Sequence, residues 1–329
     1  MDPISQGVLG ASWAQARTGR ERLPVAGLLG AVAGLAPDLD TLIQSANDPL
    51  LFLEYHRQFT HSLAFAPVGA LVCTLLLYRA VRARLRFGEA YLSCLLGFAS
   101  HGLLDACTSY GTELLWPFSD TRVAWSIIAV VDPGFTLPIL VLVMLAAYRK
   151  RIRYAQLAVV WAAVYLALAV VQHGRAEAAG GAIAAERGHR PVRLEVKPAF
   201  ASLLLWKVIY EFDGRYYVDA VRTGFALTRY PGASISKLDI RRDFPWLDPG
   251  SRQAADVERF RHISDDFLAV DPAEPARIVD MRYSMVPNEI SAFWAIVLDQ
   301  RTPPDEHVGF VTTRQAAPEQ ARRLFDMLF

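Results

Sequence analysis

The first 173 residues carry apolar stretches of a length that suits a lipid bilayer, and this feature constrains the fold more than any other. A helix that crosses a membrane needs about 20 predominantly apolar residues, because its backbone N–H and C=O groups must pair within the segment. Five stretches approach or reach that length, at residues 23–37, 61–80, 90–108, 126–148 and 154–172. A shorter helix at 4–16 precedes them and either re-enters the membrane or crosses it. The sequence therefore predicts a polytopic α-helical membrane domain of about five helices over residues 1–173.

The first of these stretches, residues 23–37, contains regularly spaced glycines. Gly27, Gly30 and Gly34 follow the small-xxx-small spacing that lets helix backbones approach closely inside a membrane. Pro37 then ends the helix, and the acidic residues of the motif PDLD follow at once. A close helix crossing is therefore predicted to lead directly into a pair of carboxylates.

Beyond residue 173 the composition changes to that of an ordinary soluble protein. Hydrophobic residues make up 53% of the 329-residue chain, but their long runs are confined to the first half. Residues 174–190, rich in alanine and glycine, are predicted to be a linker, and residues 191–329 a small soluble α+β domain. Its predicted elements are a strand at 192–198, a hairpin with Asp213-Gly214 as its turn, a helix at 251–270, strands at 276–284 and 289–299, and a closing helix at 318–329.

Charge and cysteine content argue against two classes of protein. The formal net charge is +1, and no long basic run occurs outside the predicted membrane loops, so nothing indicates a nucleic-acid partner. Cys73, Cys94 and Cys107 all lie in the apolar half and are predicted to be small packed residues. A cysteine-based metal site or a disulfide-stapled fold is therefore not expected.

Basic residues are clustered at alternate ends of successive predicted spans. The clusters lie at 17–22, 79–86 and 149–153. The positive-inside rule places all three in the cytoplasm together. The opposite ends of the spans, and the domain at 191–329, would then be extracytoplasmic. We therefore predict a multi-pass protein of the bacterial inner (plasma) membrane.

Three pairs of potential metal ligands fall at the predicted extracytoplasmic ends. They are Asp38 and Asp40 in PDLD, His56 and His61 in HRQFTHS, and His101 and Asp105 in GFASHGLLDACT. The last pair is spaced i, i+4, so both side chains project from one face of a helix. Ionisable side chains are costly in a membrane, so three pairs at one face indicate a function. Aspartate oxygens and neutral histidine nitrogens suit a divalent ion, with zinc first and manganese or iron(II) as alternatives.

Each pair also has an interpretation that needs no metal. His101 could be a hydrogen-bonded histidine of the core. Asp38 could cap the turn that follows Pro37. His56 and Arg57 could form a solvated face of their loop.

Two further carboxylates are candidates for catalytic groups. Glu113 is predicted as a general base, and Asp132, directly before Pro133, as a second catalytic carboxylate or a further ligand. The competing interpretation of Asp132 is that it only terminates a strained segment. Both residues fall at the same predicted end of the spans as the three pairs.

Five motifs together resemble the YdjM-like family. They are MDPISQGVLGA, AGLAPDLD, HRQFTHS, GFASHGLLDACTSYGTELLWPFSDTRVAW and VDPGFTLP, and they cover roughly residues 1–175. The family comprises LexA-binding, inner-membrane-associated proteins to which metal-dependent hydrolase activity is assigned. By this resemblance the metal-binding set would be Asp38, Asp40, His61, His101 and Asp105. Many members carry a histidine at the position of Gln6, and the C-terminal domain resembles the extension of longer members.

These features favour a membrane-bound hydrolase that uses a mono- or multinuclear metal site to activate water. A site at the bilayer surface would suit a lipid or lipid-linked phosphoester, and membrane lipids are the other expected partners. The alternative is a non-catalytic inner-membrane protein with a structural metal site and a periplasmic domain that binds a protein partner. A transporter is disfavoured because the predicted spans show no evident inverted repeat.

Overall fold

The computed structural model of the chain describes residues 1–312 and 318–328. The chain divides into two compact units. Unit 1 consists of residues 1–42 and 55–171, and unit 2 of residues 43–54 and 172–329. The segment 43–54, which the sequence places within the membrane half, therefore groups with the C-terminal unit.

The membrane half is helical, as predicted. Its helices are α1 (Pro3–Gln15), α2 (Leu23–Leu35), α3 (Leu51–Tyr55), α4 (Ala66–Val81), α5 (Phe87–Ala106), α6 (Pro133–Arg149) and α7 (Ile152–Glu186), with short 3-10 segments at Arg20–Arg22, Ala36–Leu42 and Phe59–His61. The predicted helix at 4–16 is α1. Its first turn is closed by Asp2, whose side chain accepts hydrogen bonds from the backbone of Ile4 and Ser5.

The predicted number of spans is not confirmed. Among the described residues, two helical segments are long and apolar enough to cross a membrane, Arg20–Leu42 and α7. A third is obtained if the bent pair Leu51–His61 and Ala66–Val81 is one broken span. The helix α6 is apolar but has 17 residues, which is short for a full crossing. The helices α4 and α6 are thus shorter than the apolar stretches 61–80 and 126–148 that predicted them, whereas α5 and α7 are not.

The helices α1, α2 and α5 cross where three glycines meet. A Cβ atom on Gly30 would overlap the carbonyl oxygen of Gly10, and one on Gly97 would overlap the carbonyl oxygen of Gly30. The close approach predicted from the glycines of α2 is therefore found, and α5 takes part in it. Next to this crossing, the buried side chains of Leu29 and Phe98 pack in a common core that also includes residues of α4.

Contacts between the helix ends of unit 1 sort these ends into two groups. At one end, Asp2 donates its backbone N–H to Val130 O (2.8 Å), close to the start of α6. At the other end, Arg22 pairs with Glu89 at the start of α5, and Lys150 pairs with Glu21 at 2.6 Å. We call this second group the basic end of unit 1, since the three predicted basic clusters belong to it. The predicted ligands belong to the first group.

Unit 2 contains two antiparallel sheets. The first has the strands β1 (Arg193–Pro198), β2 (Leu205–Phe212), β3 (Arg215–Thr223), β4 (Leu227–Tyr230) and β5 (Ser234–Ser236), and the second has β6 (Leu268–Val270), β7 (Arg277–Asp280), β8 (Trp294–Val297) and β9 (Gly309–Thr312). The short helices α8 (Ile240–Asp243), α9 (Arg252–Ile263) and α10 (Pro318–Leu328) complete it. One core cluster joins Tyr216 and Val218 of the first sheet to Ala269 and Val279 of the second. The prediction of an α+β domain is confirmed by this sheet-containing unit.

The local predictions for unit 2 differ in outcome. The hairpin turn at Asp213-Gly214 is confirmed, with both residues at positive φ (50° and 65°), as a two-residue turn of this kind requires. The predicted helix 251–270 ends at Ile263, and its last three residues form β6 instead. The segment 174–190, predicted as a linker, is helical as far as Glu186 because α7 continues into it.

A buried lysine makes the stability of unit 2 depend on pH. Lys207 donates to Ser284 Oγ (2.9 Å) and to Glu289 O (3.0 Å), and burial lowers its pKa from 10.5 to about 7. Between about pH 7 and pH 10.5, Lys207 binds more protons in the unfolded chain than in the folded one. The free energy of unfolding therefore rises with pH in this range, by up to about 1.4 kcal/mol per pH unit. We expect the melting temperature of the full chain in detergent to rise across this window more than that of Lys207→Met. Parallel pH profiles for the two proteins would contradict the assignment.

Candidate metal centre

Three backbone segments of unit 1 carry the predicted ligands to one place. Asp38 lies in the 3-10 segment Ala36–Leu42, His61 ends the segment Phe59–His61, and His101 lies in α5. Gly102 allows the second segment to rest on α5, because a Cβ atom at this position would overlap the carbonyl oxygen of His61. Because Gly102 has no side chain, His61 can pack next to His101.

Four side-chain atoms converge at this point. His61 Nε2 lies 2.9 Å from His101 Nε2 and 3.5 Å from Asp38 Oδ1. Asp105 Oδ2 lies 3.3 Å from His61 Nε2 and 3.7 Å from His101 Nε2, and His101 Nε2 lies 3.4 Å from Asp38 Oδ1. The side chains of His61, His101 and Asp105 are fully buried, whereas that of Asp38 keeps 28% of its surface exposed. The group is therefore open to its surroundings on the side of Asp38.

The partners of the two Nδ1 atoms suit neutral histidine rings that carry their proton on Nδ1. His101 Nδ1 lies 2.6 Å from the carbonyl oxygen of Gly34, which can only accept, so Nδ1 carries the proton of a neutral ring. His61 Nδ1 faces Thr60 Oγ1 at 3.0 Å and Asp40 Oδ2 at 3.2 Å, and Thr60 itself donates to Asp40. In neutral rings both Nε2 atoms then point lone pairs at the same space, which a cation would stabilise.

The carboxylate of Asp105 is held by polar groups from other segments. Arg57 Nε lies 3.1 Å from its Oδ2, while Gln6 Nε2 donates to its Oδ1 at 2.9 Å. The α-amino group of Met1 also contacts Oδ1. Asp105 Oδ2 and Gln6 Oε1 are nevertheless buried oxygens with no hydrogen-bond partner of normal geometry. Buried oxygens without a hydrogen bond are costly, and a cation bound among the four side chains would stabilise Asp105 Oδ2.

A second group of potential ligands surrounds Asp40. His56 Nδ1 lies 2.8 Å from Asp40 Oδ1, and the other oxygen of Asp40 accepts from Thr60 (2.6 Å) and from the backbone of Arg57 (3.2 Å). One potential ligand atom from each of Asp40, His56 and His61 lies within 4.8 Å of the others. Because hydrogen bonds already account for these contacts, we interpret Asp40 as the carboxylate that orients His61.

The first group fits a divalent ion. Atoms bound tetrahedrally at roughly 2.0–2.2 Å from an ion are about 3.3–3.6 Å apart, which is close to the separations measured here. Two imidazole nitrogens and two carboxylate oxygens are ligands of zinc, and also of manganese and iron(II). The described residues place no cysteine in either group, and all three cysteines are free and buried, as predicted.

The structure brings together the three predicted pairs but not the two predicted catalytic carboxylates. Asp38, Asp40, His56, His61, His101 and Asp105 all belong to the two groups. Glu113 is buried beside Arg122 (3.5 Å), and its backbone N–H donates to Arg57 O. Asp132 caps α6 and accepts a hydrogen bond from Tyr165 at 2.7 Å. Among the described residues, neither carboxylate belongs to a metal group.

Arg57 is the site residue that the sequence does not reveal. The interpretation that Arg57 lies on a solvated face of its loop is wrong, since the residue is 6% exposed. Its side chain contacts both Asp105 and Thr108 Oγ1 (2.9 Å). Its position between two potential ligands in HRQFTHS is the signal available in the sequence. An arginine in that setting suggests a counterion for a buried carboxylate.

Comparison with known proteins connects this arrangement to one family. Residues 1–176 match the YdjM inner membrane protein family. The inner membrane protein YbcI of Escherichia coli (strain K12) is 36% identical over 105 residues, which cover 31% of this chain and 60% of that protein. The uncharacterized protein YfhP of Bacillus subtilis (strain 168) is 32% identical over 98 residues, or 30% of this chain and 29% of that protein. The chain thus covers less than two thirds of either relative, and no solved structure gives a significant match.

Proposed function

This chain belongs to the YdjM inner membrane protein family, and on that premise we propose that it is a membrane-bound, metal-dependent hydrolase. Its metal centre consists of Asp38, His61, His101 and Asp105. The observation that carries the proposal is the convergence of these four side chains at separations of 2.9–3.7 Å between the facing atoms of each His–His and His–Asp pair. Zinc is the first choice of metal, with manganese and iron(II) next.

The residues around the centre have distinct roles in this proposal. A divalent ion held there would supply a Lewis acid that activates water and stabilises charge on a phosphoryl or acyl oxygen. The carbonyl of Gly34 fixes the ring of His101, and Asp40 with Thr60 fixes that of His61. Arg57 balances the charge of Asp105.

Glu113 keeps its role as the proposed general base. It is buried, and its backbone is joined to that of Arg57, which contacts Asp105. Asp132 is proposed to act structurally, because its carboxylate caps α6. A Glu113→Gln variant that keeps its metal but loses turnover would support the catalytic assignment, and unchanged turnover would end it.

The surroundings of Asp38 favour a substrate with an acyl or polyprenyl chain. Leu39 and Leu42, in the same 3-10 segment, are 64% and 77% exposed. Phe118 of the loop after α5 is 87% exposed. The exposed side chains of Leu39 and Leu42, beside the accessible ligand in the chain, suit a lipid or lipid-linked phosphoester more than a polar solute.

The activity is tested on the full chain in mild detergent, loaded with zinc or manganese, against phospholipids, lipid-linked phosphoesters and a soluble phosphodiester. We expect turnover by the parent and by Asp120→Asn, a control at an exposed carboxylate of the same unit. Asp38→Asn should be at least about 100-fold slower, because it loses a ligand charge. A metal-loaded parent without turnover on the whole panel would instead support a structural metal site with a partner-binding C-terminal unit.

We further propose that the metal centre and unit 2 face the extracytoplasmic side. The support is the gathering of the basic clusters at the other end of unit 1, which the positive-inside rule assigns to the cytoplasm. A reporter fused to the C-terminus tests this. Alkaline phosphatase should be active there and green fluorescent protein dark, and the reverse pattern would overturn the orientation.

A further inference from the structure

An apolar groove runs along the surface of unit 1 between α1, α2 and α6. It has a volume of about 520 Å³, and its lining includes Val8, Ala11, Leu28, Val143, Met144 and Ala147. A helix of the length of α1 extends about 20 Å, which is comparable to the depth of one leaflet of the hydrocarbon core. The groove therefore has the length and the apolar lining of a binding site for one acyl chain.

A basic pocket lies where α1 and α6 end. Its volume is about 510 Å³, and Arg20, Lys150, Arg151 and Arg153 line it together with Thr18. Lys150 is paired with Glu21 at 2.6 Å. Within the described part of the chain, the three arginines form no ion pair. The pocket thus keeps three positive charges for an outside anion.

The groove runs along α1 and α6, and the pocket lies just past the ends of these two helices. Gln15 borders the groove and Thr18 the pocket, and on the other side Ala147 borders the groove and Lys150 the pocket. Thr18 and Lys150 lie just beyond the ends of α1 and α6, and three residues of chain span at most about 10–11 Å, so the two depressions are neighbours. An apolar channel that opens beside three cations matches a molecule with a hydrocarbon tail and an anionic head.

We propose that unit 1 binds an anionic phospholipid, with one acyl chain in the groove and the phosphate among the three arginines. Basic pockets at the cytoplasmic ends of membrane helices are suited to such headgroups, because each cation near the surface adds to the attraction. A free anion would use the pocket but not the groove. The phosphate binds at the basic end, away from the metal centre, and the proposal does not depend on hydrolase activity.

The test uses delipidated full-length protein in a neutral detergent, titrated with phosphatidylglycerol or phosphatidylcholine and measured by native mass spectrometry. We expect one tightly bound phosphatidylglycerol per chain and weaker binding of phosphatidylcholine. Arg20→Gln/Arg151→Gln should weaken phosphatidylglycerol binding by about tenfold or more. Arg82→Gln/Arg84→Gln is the matched control, because it removes the same charge from exposed arginines outside the pocket at the same end.

A second pair of variants tests the groove. Ala147→Phe fills it and should weaken phosphatidylglycerol binding, whereas Ala163→Phe on an exposed face of α7 should not. Equal binding of the two lipids, equal effects of the two arginine pairs, or equal effects of the two phenylalanine variants would each overturn the proposal. So would inorganic phosphate that displaces the lipid at matched concentration, because the site would then recognise the anion alone. If the pocket variant fails to fold, the groove pair decides the question.

Discussion

Replacing His101 by alanine is expected to remove the bound metal from the protein. His101 is fully buried, and its Nε2 faces His61 Nε2 at 2.9 Å and Asp38 Oδ1 at 3.4 Å. A site with one of its four ligands missing should bind its ion at least about 100-fold more weakly, since even the loss of an orienting partner costs 10–100-fold. Metal content after dialysis, measured by inductively coupled plasma mass spectrometry, should fall from about one ion per chain to a small fraction.

Two further variants make this result interpretable. His262→Ala removes an exposed histidine from unit 2 and should leave the metal content unchanged. Because His101→Ala leaves a hole in a packed helix, Asp38→Asn serves as a gentler change at a partly exposed ligand of nearly the same shape. It too should lower the metal content. Equal metal in the parent and in both ligand variants would exclude the centre.

Replacing Gly97 by valine is expected to prevent unit 1 from folding. The added Cβ would overlap the carbonyl oxygen of Gly30, and no rotation of a side chain can relieve a clash with backbone. Separating α2 from α5 would also break the contact between His101 and Gly34 O (2.6 Å) one turn further along. We expect a loss of about 3 kcal/mol or more, the range of severe overpacking. The variant should be aggregated or absent in size-exclusion chromatography.

Gly88→Ala is the control for this prediction, because Gly88 lies in the same helix. A Cβ atom at Gly88 meets nothing within 4 Å. Alanine is the better helix former, so this change should be neutral or stabilising by about 0.5–1 kcal/mol. If Gly97→Val melts at the same temperature as Gly88→Ala, then α2 and α5 do not cross as described.

Features that depend on short spacings could be predicted from the sequence. The i, i+4 spacing of His101 and Asp105 places them on one helical face, and both do face His61. The pair Asp213-Gly214 marks a hairpin because a two-residue turn needs positive φ at both positions. In such cases the local backbone alone determines the outcome.

Features that depend on contacts between distant segments could not be predicted. Asp40 is predicted as a ligand from its motif alone, whereas its hydrogen bonds with Thr60 and His56 form only because the loop folds back onto it. Burial of Arg57 depends on Asp105, 48 positions later in the chain. The number of spans stays unconfirmed, because hydropathy measures apolar length, whereas the helix ends are set by tertiary packing.

Anomalous diffraction at the absorption edge of the bound metal tests the central claim most directly. In crystals of the full chain prepared without chelator, we expect one peak enclosed by His61 Nε2, His101 Nε2 and the carboxylates of Asp38 and Asp105. A protein that shows no anomalous peak at this position would contradict the account. So would metal bound elsewhere instead, for example at the Asp256–His307 pair of unit 2, whose facing atoms are 2.8 Å apart.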